Sequence, residues 1–163
     1  MSEAADLAPS NDPFKRRFMK TAAQILKSKP DQTVHTMGPT ASVFEAVRLM
    51  ADKNIGALVV VEGDKVVGIV SERDYARKVV LMSRSSKDTL LSDIMSSPVM
   101  HVHPGQTSEE CMALMTDKHI RHLPVLDEAK LIGILSIGDV VKAVISEKEF
   151  LISQLENYIS SGG

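Results

Sequence analysis

The chain contains itself twice. Displacing the sequence by about 65 residues lays Val34 to Val79 on Val99 to Val144 without a gap, and roughly sixteen of about 46 aligned pairs are identical. The matched pairs include Pro39 with Pro104, Leu49-Met50 with Leu114-Met115, Gly68-Ile69 with Gly133-Ile134, Ser71 with Ser136, and Asp74 with Asp139. Two copies imply an approximate two-fold axis.

Each copy reads as strand, helix, strand, strand, helix, an α/β arrangement. Ser42 with Glu45 and Thr107 with Glu110 have capping-box spacing, and Val43, Ala46, Val47 and Met50 recur at helical intervals up to Lys53. Gly56 to Val61 and Lys65 to Val70 are apolar, β-branched runs around Glu62-Gly63-Asp64, which predicts a hairpin. Leu123 to Leu126 and Leu131 to Leu135, around Asp127-Glu128, predict the second. Closing helices are expected to start near Ser71 and Ser136. A helical stretch from Phe18 to Lys27 leads into the first copy, and Leu91 to Met95 holds the corresponding place before the second.

The expected organisation is a disordered stretch over 1–13, the first repeat with its lead-in helix over 14–82, and a polar linker over 83–90. The second repeat follows over 91–146, then a C-terminal helix and tail over 147–163. In that last helix, from Ser146 to Ser160, Phe150, Leu151, Leu155 and Ile159 share a face that would cap the fold or meet another subunit.

At 163 residues such a chain can bury roughly 70% of the surface it exposes when unfolded, enough to fold without disulfides or metal. A formal net charge of -2 and the absence of Trp give neither a field for phosphate backbones nor aromatic platforms for bases, so nucleic acid is not an expected partner. The single Cys111 cannot form an intramolecular disulfide and suits a reducing compartment, with the cytoplasm as the default. Asp6, Pro9 and Asp12 interrupt the region where an export signal needs a continuous apolar run, and no later segment is long and apolar enough for a membrane span.

The strongest local motif is Gly68-Ile69-Val70-Ser71-Glu72-Arg73-Asp74, echoed by Gly133-Ile134-Leu135-Ser136-Ile137-Gly138-Asp139. Ser-x-x-Asp at a helix start is a capping pattern in its own right. The same free N–H groups attract phosphate, and a fixed carboxylate can accept ribose hydroxyls, so cap and ligand clamp are compatible roles. His101, His103, His119 and His122 have no acidic ligand at a recognisable spacing, and no metal site is expected. Cys111 stands where the first copy has Ala46, which makes it a small core side chain rather than a nucleophile. Gly-x-Ser-x-Gly, P-loop and Rossmann glycine patterns are absent, so catalysis is not expected.

From about Thr21 to Ser146 the chain resembles a tandem pair of CBS domains, the cystathionine-β-synthase repeats that pair into a Bateman module. The resemblance rests on Ile55-Gly56-Ala57-Leu58-Val59-Val60-Val61 with the first Ser-x-x-Asp motif, and on His119-Ile120-Arg121-His122-Leu123-Pro124-Val125 with the second. With so little chain outside the pair, the resemblance is to the stand-alone bacterial kind. It implies two clefts between the repeats, each shared, for AMP, ADP, ATP, S-adenosylmethionine or a dinucleotide such as NAD. Asp74 and Asp139 would hold ribose, Ser71 and Ser136 ribose or phosphate, and Ile69 or Ile134 would lie against adenine. The adenine edge would be read near His35-Thr36 in one cleft and Met100-His101 in the other.

Arg121-His122, opposite Gly56-Ala57 in the repeat alignment, is implied as a basic pair reaching phosphate. Arg73 and Arg77 are either a solvated helix face or further ligand contacts. The two clefts are therefore expected to be inequivalent. The implied function is a regulatory adenine-nucleotide sensor, homodimeric and acting on a protein partner yet to be identified. The alternative is an interaction scaffold with vestigial clefts, and a metal-binding or nucleotide-consuming protein is less favoured.

Overall fold

Thr21, Ser42, Ser71, Thr107 and Ser136 each accept the N–H of the residue three places on, and that residue's own side chain accepts the cap N–H in return. These reciprocal bonds set where helices begin. In the computed structural model, which describes residues 12–162, the elements run α1 (Pro13–Phe18), α2 (Ala22–Ser28), β1 (Thr36–Met37), α3 (Val43–Lys53), β2 (Ala57–Glu62) and β3 (Lys65–Ser71). They continue with α4 (Glu72–Tyr75), α5 (Leu91–Ile94), α6 (Ser108–Lys118), β4 (His122–Asp127), β5 (Lys130–Ser136) and α7 (Ile137–Ser161), and a π-helical turn over Ala76–Val80 extends α4.

β2 and β3 pair antiparallel, with β1 joined parallel to β2 through Thr36 opposite Val59. β4 and β5 pair in the same way, and a parallel bridge from Val102 to Val125 stands where β1 stands in the first copy. Both hairpins shift register at the same place, between Val60 and Val61 and between Val125 and Leu126. Gly63 turns the first hairpin at φ +61°, but the second turns through Glu128 and Ala129 at φ +48° and +67°, a region disfavoured for residues with a Cβ.

Packing exchanges the lead-in segments. Ala22 and Ile25 of α2, which precede the first copy, are buried with Val102, Cys111, Met115, Leu123, Val125 and Leu135 of the second. Leu91 and Ile94 of α5, which precede the second copy, are buried with Val43, Ala46, Met50, Leu58, Val60 and Val70 of the first. Equivalent bonds hold both: Ala22 N donates to Gln106 O (2.8 Å) and Ala23 N to Pro104 O (3.0 Å), while Leu91 N donates to Ala41 O (2.9 Å) and Ser92 N to Pro39 O (3.0 Å). Ala22 and Leu91 stand 69 positions apart but Val34 and Val99 only 65, so the first lead-in carries four additional residues before its repeat begins.

Other expectations shift. The stretch from Phe18 to Lys27 divides into α1 and α2, because Thr21 is extended and caps α2. No separate helix begins at Ser146. α7 runs unbroken from Ile137 to Ser161, with no Gly or Pro between Val140 and Ser161, and Glu147 within it accepts from the Ser108 hydroxyl (2.7 Å) and the Lys20 N–H. The polar segment 83–90 lies along the start of α3, where Val43 N donates to Thr89 O and Phe44 N to Ser86 O (both 2.9 Å). Of the stretch 1–13 expected to be disordered, residues 1–11 lie outside the described residues and Pro13 opens α1.

At Gly133 an added Cβ would come within 2.5 Å of Leu26 Cδ2 on α2. Gly133→Ala is therefore expected to cost about 1–3 kcal/mol in urea unfolding, and less in a Leu26→Ala background. The same loss in both backgrounds would mean that α2 does not lie on β5.

Candidate functional site

Each hairpin ends in a serine and each following helix begins under a carboxylate. Ser71 N donates to Asp74 Oδ2 (2.9 Å), Ser71 Oγ to the same oxygen (3.1 Å), and Asp74 N to Ser71 Oγ (3.2 Å). In the second copy Ser136 N donates to Asp139 Oδ2 (2.8 Å) and Asp139 N to Ser136 Oγ (3.2 Å). Both carboxylates thus sit at helix N-termini, where the peptide dipoles favour negative charge.

Around the first of these motifs lies a cleft of about 840 Å³ between the copies. One wall is Ile69, Ser71, Asp74, Arg73, Arg77 and Lys78; the other is Met100, Lys118, His119, Ile120, Arg121 and His122, with Gly56, Ser96 and Pro98 at the edge. Five permanent cations, Arg73, Arg77, Lys78, Lys118 and Arg121, face two carboxylates, Glu72 and Asp74. Arg73 Nη1 crosses the cleft to donate to His119 O (2.9 Å), where the chain leaves α6 in a left-handed turn. Lys78 Nζ pairs with Asp74 Oδ1 (3.1 Å) one turn back and donates to Ile94 O (2.8 Å).

The second motif carries a lysine from the lead-in segment. Lys29 Nζ lies 3.0 Å from Asp139 Oδ2 and donates to Ile134 O (2.9 Å). The space left beside Ile134, Gly133 and residues 29–34 is about 60 Å³. Burial pushes the Asp139 carboxyl up, but the Ser136 backbone N–H and Lys29 outweigh it and hold it below the usual 3.8. Burial pulls the His122 imidazole below 6.5, with Lys29 and Arg121 acting in the same sense and Asp139 in the opposite one. The expected basic pair at 121–122 is thus one cation beside a neutral imidazole at neutral pH.

The cleft brings together Ile69, Ser71, Arg73, Asp74, Arg77, Met100, Arg121 and His122 of the residues singled out from sequence. Ile134 borders the small space, while Ser136 and Asp139 bond each other, with Lys29 on the carboxylate. His35, Thr36, Ala57 and His101 line neither: Thr36 is paired into β1, Ala57 is buried opposite Ser71, and His101 Nδ1 lies 3.1 Å from Val99 O. Lys78, Lys118 and His119 were not anticipated as lining residues. The i,i+4 spacing of Asp74 and Lys78 was the available signal for the first, and adjacency to Arg121 for the others.

Among the described residues no group of three or more His, Cys, Asp or Glu side chains could hold a metal ion. Cys111 is buried and burial pushes its thiol up to about 12. No helix of the described residues is long and apolar enough to cross a membrane.

The CBS domain model matches residues 23–81 and 91–146. A CBS-domain protein of Burkholderia ambifaria is 58% identical with a TM-score of 0.75, over 78% of this chain and 95% of that one. CBSX3, a mitochondrial CBS-domain protein of Arabidopsis thaliana, is 44% identical over 126 residues, which are 74% of this chain and 61% of the plant protein. The chain thus spans less than two thirds of that relative's length. A structure of CBSX2 in complex with AMP is 29% identical with a TM-score of 0.65, over 79% of this chain and 98% of that one. The chain belongs to the CBS-domain family, with two such domains in tandem.

A lowered His122 pKa means that the unfolded chain takes up a proton which the folded imidazole refuses, so stability is full above pH 6.5 and declines as the pH falls below it. Urea midpoints measured from pH 7.5 to 5.5 are expected to fall less steeply for His122→Gln than for the wild type. Identical slopes would place His122 in water.

Proposed function

We propose that the cleft between the two CBS domains binds an adenine nucleotide, and that the protein acts as a regulatory sensor through this site. The observation that carries the reading is the facing of two unlike groups across one space: a carboxylate fixed by Ser71 at the start of α4, suited to ribose hydroxyls, and the cations of the opposite wall, suited to phosphate. The AMP complex of CBSX2 supports it. Three more positive than negative side chains line the cleft, which favours AMP, ADP, ATP or the pyrophosphate of NAD over the cationic sulfonium of S-adenosylmethionine.

In this reading Asp74 and Ser71 hold ribose, Ile69 and Met100 bracket adenine, and Arg121 with Lys118 and Arg77 meets phosphate. A nucleotide so held touches both copies and stabilises whichever relative arrangement lets both walls reach it, which is the differential contact a population shift requires. Binding rather than catalysis is the proposed activity, since Asp74 is occupied by Lys78 and the cap and has no nucleophile beside it. Ile137, Val141 and Ile145 form an exposed apolar row at i,i+4 spacing on α7, which suits a homodimer contact. The free buried thiol of Cys111 suits the cytoplasm. The scaffold alternative draws on the exposed Phe150, Ile152, Leu155 and Ile159 further along the same helix.

Thermal unfolding with AMP, ADP, ATP, NAD and S-adenosylmethionine tests the reading. A nucleotide at 100 times its Kd stabilises by about 2.7 kcal/mol, a rise of roughly 5–10 °C at this chain length. That rise is expected to shrink in Asp74→Ala and in Arg121→Ala. No rise with any of the five compounds would favour the scaffold.

A further inference from the structure

The two Ser-x-x-Asp motifs are alike in sequence and in their capping bonds, yet Ser71 and Asp74 line about 840 Å³ of space, whereas the space beside Ile134, which neither Ser136 nor Asp139 lines, is about 60 Å³. Pockets for nucleotide-sized ligands run to roughly 300–1,000 Å³, a range that the first space meets and the small space beside Ile134 does not. The first lead-in is also the longer by four residues. In the open cleft the carbonyl of Ile69 accepts from a main-chain N–H, that of Ser96 (2.9 Å). At the equivalent Ile134 the longer lead-in runs past, and the side chain of Lys29 donates to the carbonyl instead (2.9 Å).

The two lysines that neutralise the motif carboxylates also arrive from different directions. Lys78 comes from the same helical segment as Asp74, and both line the open cleft. Lys29 comes from outside the second repeat and sits between Asp139 and Ile134 O, the place that a hydroxyl-bearing ligand would need. Its side chain is 24% exposed and that of Asp139 20%, so the pair is only partly screened by water. The segment is organised by bonds of its own: Thr33 N donates to Asp31 Oδ1 (2.9 Å), and Gln32 Nε2 to Lys27 O (3.1 Å).

We propose that residues 29–34 are a built-in plug of the second cleft, locked by Lys29 on Asp139 and Ile134, so that the chain takes a single nucleotide at Ser71 and Asp74. The proposal rests on the nucleotide reading above and adds to it which cleft is used and what closes the other. Lys29 is then the residue that sets the ligand count, and releasing it exposes a second site built from Ile134, Ser136 and Asp139.

Calorimetric titration with ATP of the wild type, Lys29→Met, Asp74→Ala and the double variant separates the two ideas. The wild type is expected to bind one ATP per chain, Lys29→Met two, Asp74→Ala none and the double variant one. Lys29→Arg, which keeps the cation, is expected to remain at one. Lys29→Ala, which removes both bonds, serves as the second unlocking variant if Lys29→Met does not fold. Two ATP per wild-type chain, or none bound by the double variant while the wild type binds one, would overturn the plug alone. No binding by the wild type would overturn the nucleotide reading, and the plug would fall with it unless the unlocked variants bound.

Discussion

The exchange of lead-in segments is the constraint on which the rest of the molecule depends. Each core is missing a wall until the segment preceding the other copy is laid on it: Leu91 and Ile94 for the first, Ala22 and Ile25 for the second. Ala22, Leu91, Leu58 and Leu123 are all fully buried, so neither copy could leave its partner without exposing apolar surface of its own. The exchange makes one cooperative body from two half-bodies. It also brings the C-terminal ends of β3 and β5, with their capped helices, to the junction between the copies, and the cleft is a consequence of that junction.

Pseudo-symmetry then explains what the copies share, and small departures from it explain what they do not. The capping boxes, the register shift within each hairpin and the bonds that hold α2 and α5 all recur. One additional helical turn's worth of chain between α2 and β1 breaks the equivalence, because it carries Lys29 to Asp139. The substitution of Arg121-His122 for Gly56-Ala57 breaks it a second time, placing a cation and a half-buried imidazole on the wall of the open cleft. The two copies therefore differ around the cleft at residues that the repeat alignment fails to match.

Most of the architecture was legible in the chain because local chemistry and the global repeat point the same way. Ser42, Thr107, Ser71 and Ser136 announce helix starts by spacing alone, and the Gly68 and Gly133 hairpins by composition. What could not be read was where each lead-in packs, since Ala22 and Ile25 are apolar at helical spacing whichever copy they cover. The continuity of α7 through Ser146 was hidden for the opposite reason: the repeat ends there, but the helical pattern does not. At the site, Ser71, Asp74 and Arg121 could be named from motif, whereas Lys29 could not. It lies outside both motifs, and only the third dimension brings its ammonium to a carboxylate 110 positions away.

Isoleucine methyl resonances report most directly on whether the duplicated chain presents one working cleft. With the δ1 methyl groups labelled, saturating AMP or ATP is predicted to move the signals of Ile69 and Ile120, which line the open cleft, and to leave Ile134 in place. Movement of Ile134, with or without Ile69, or of neither, would contradict it.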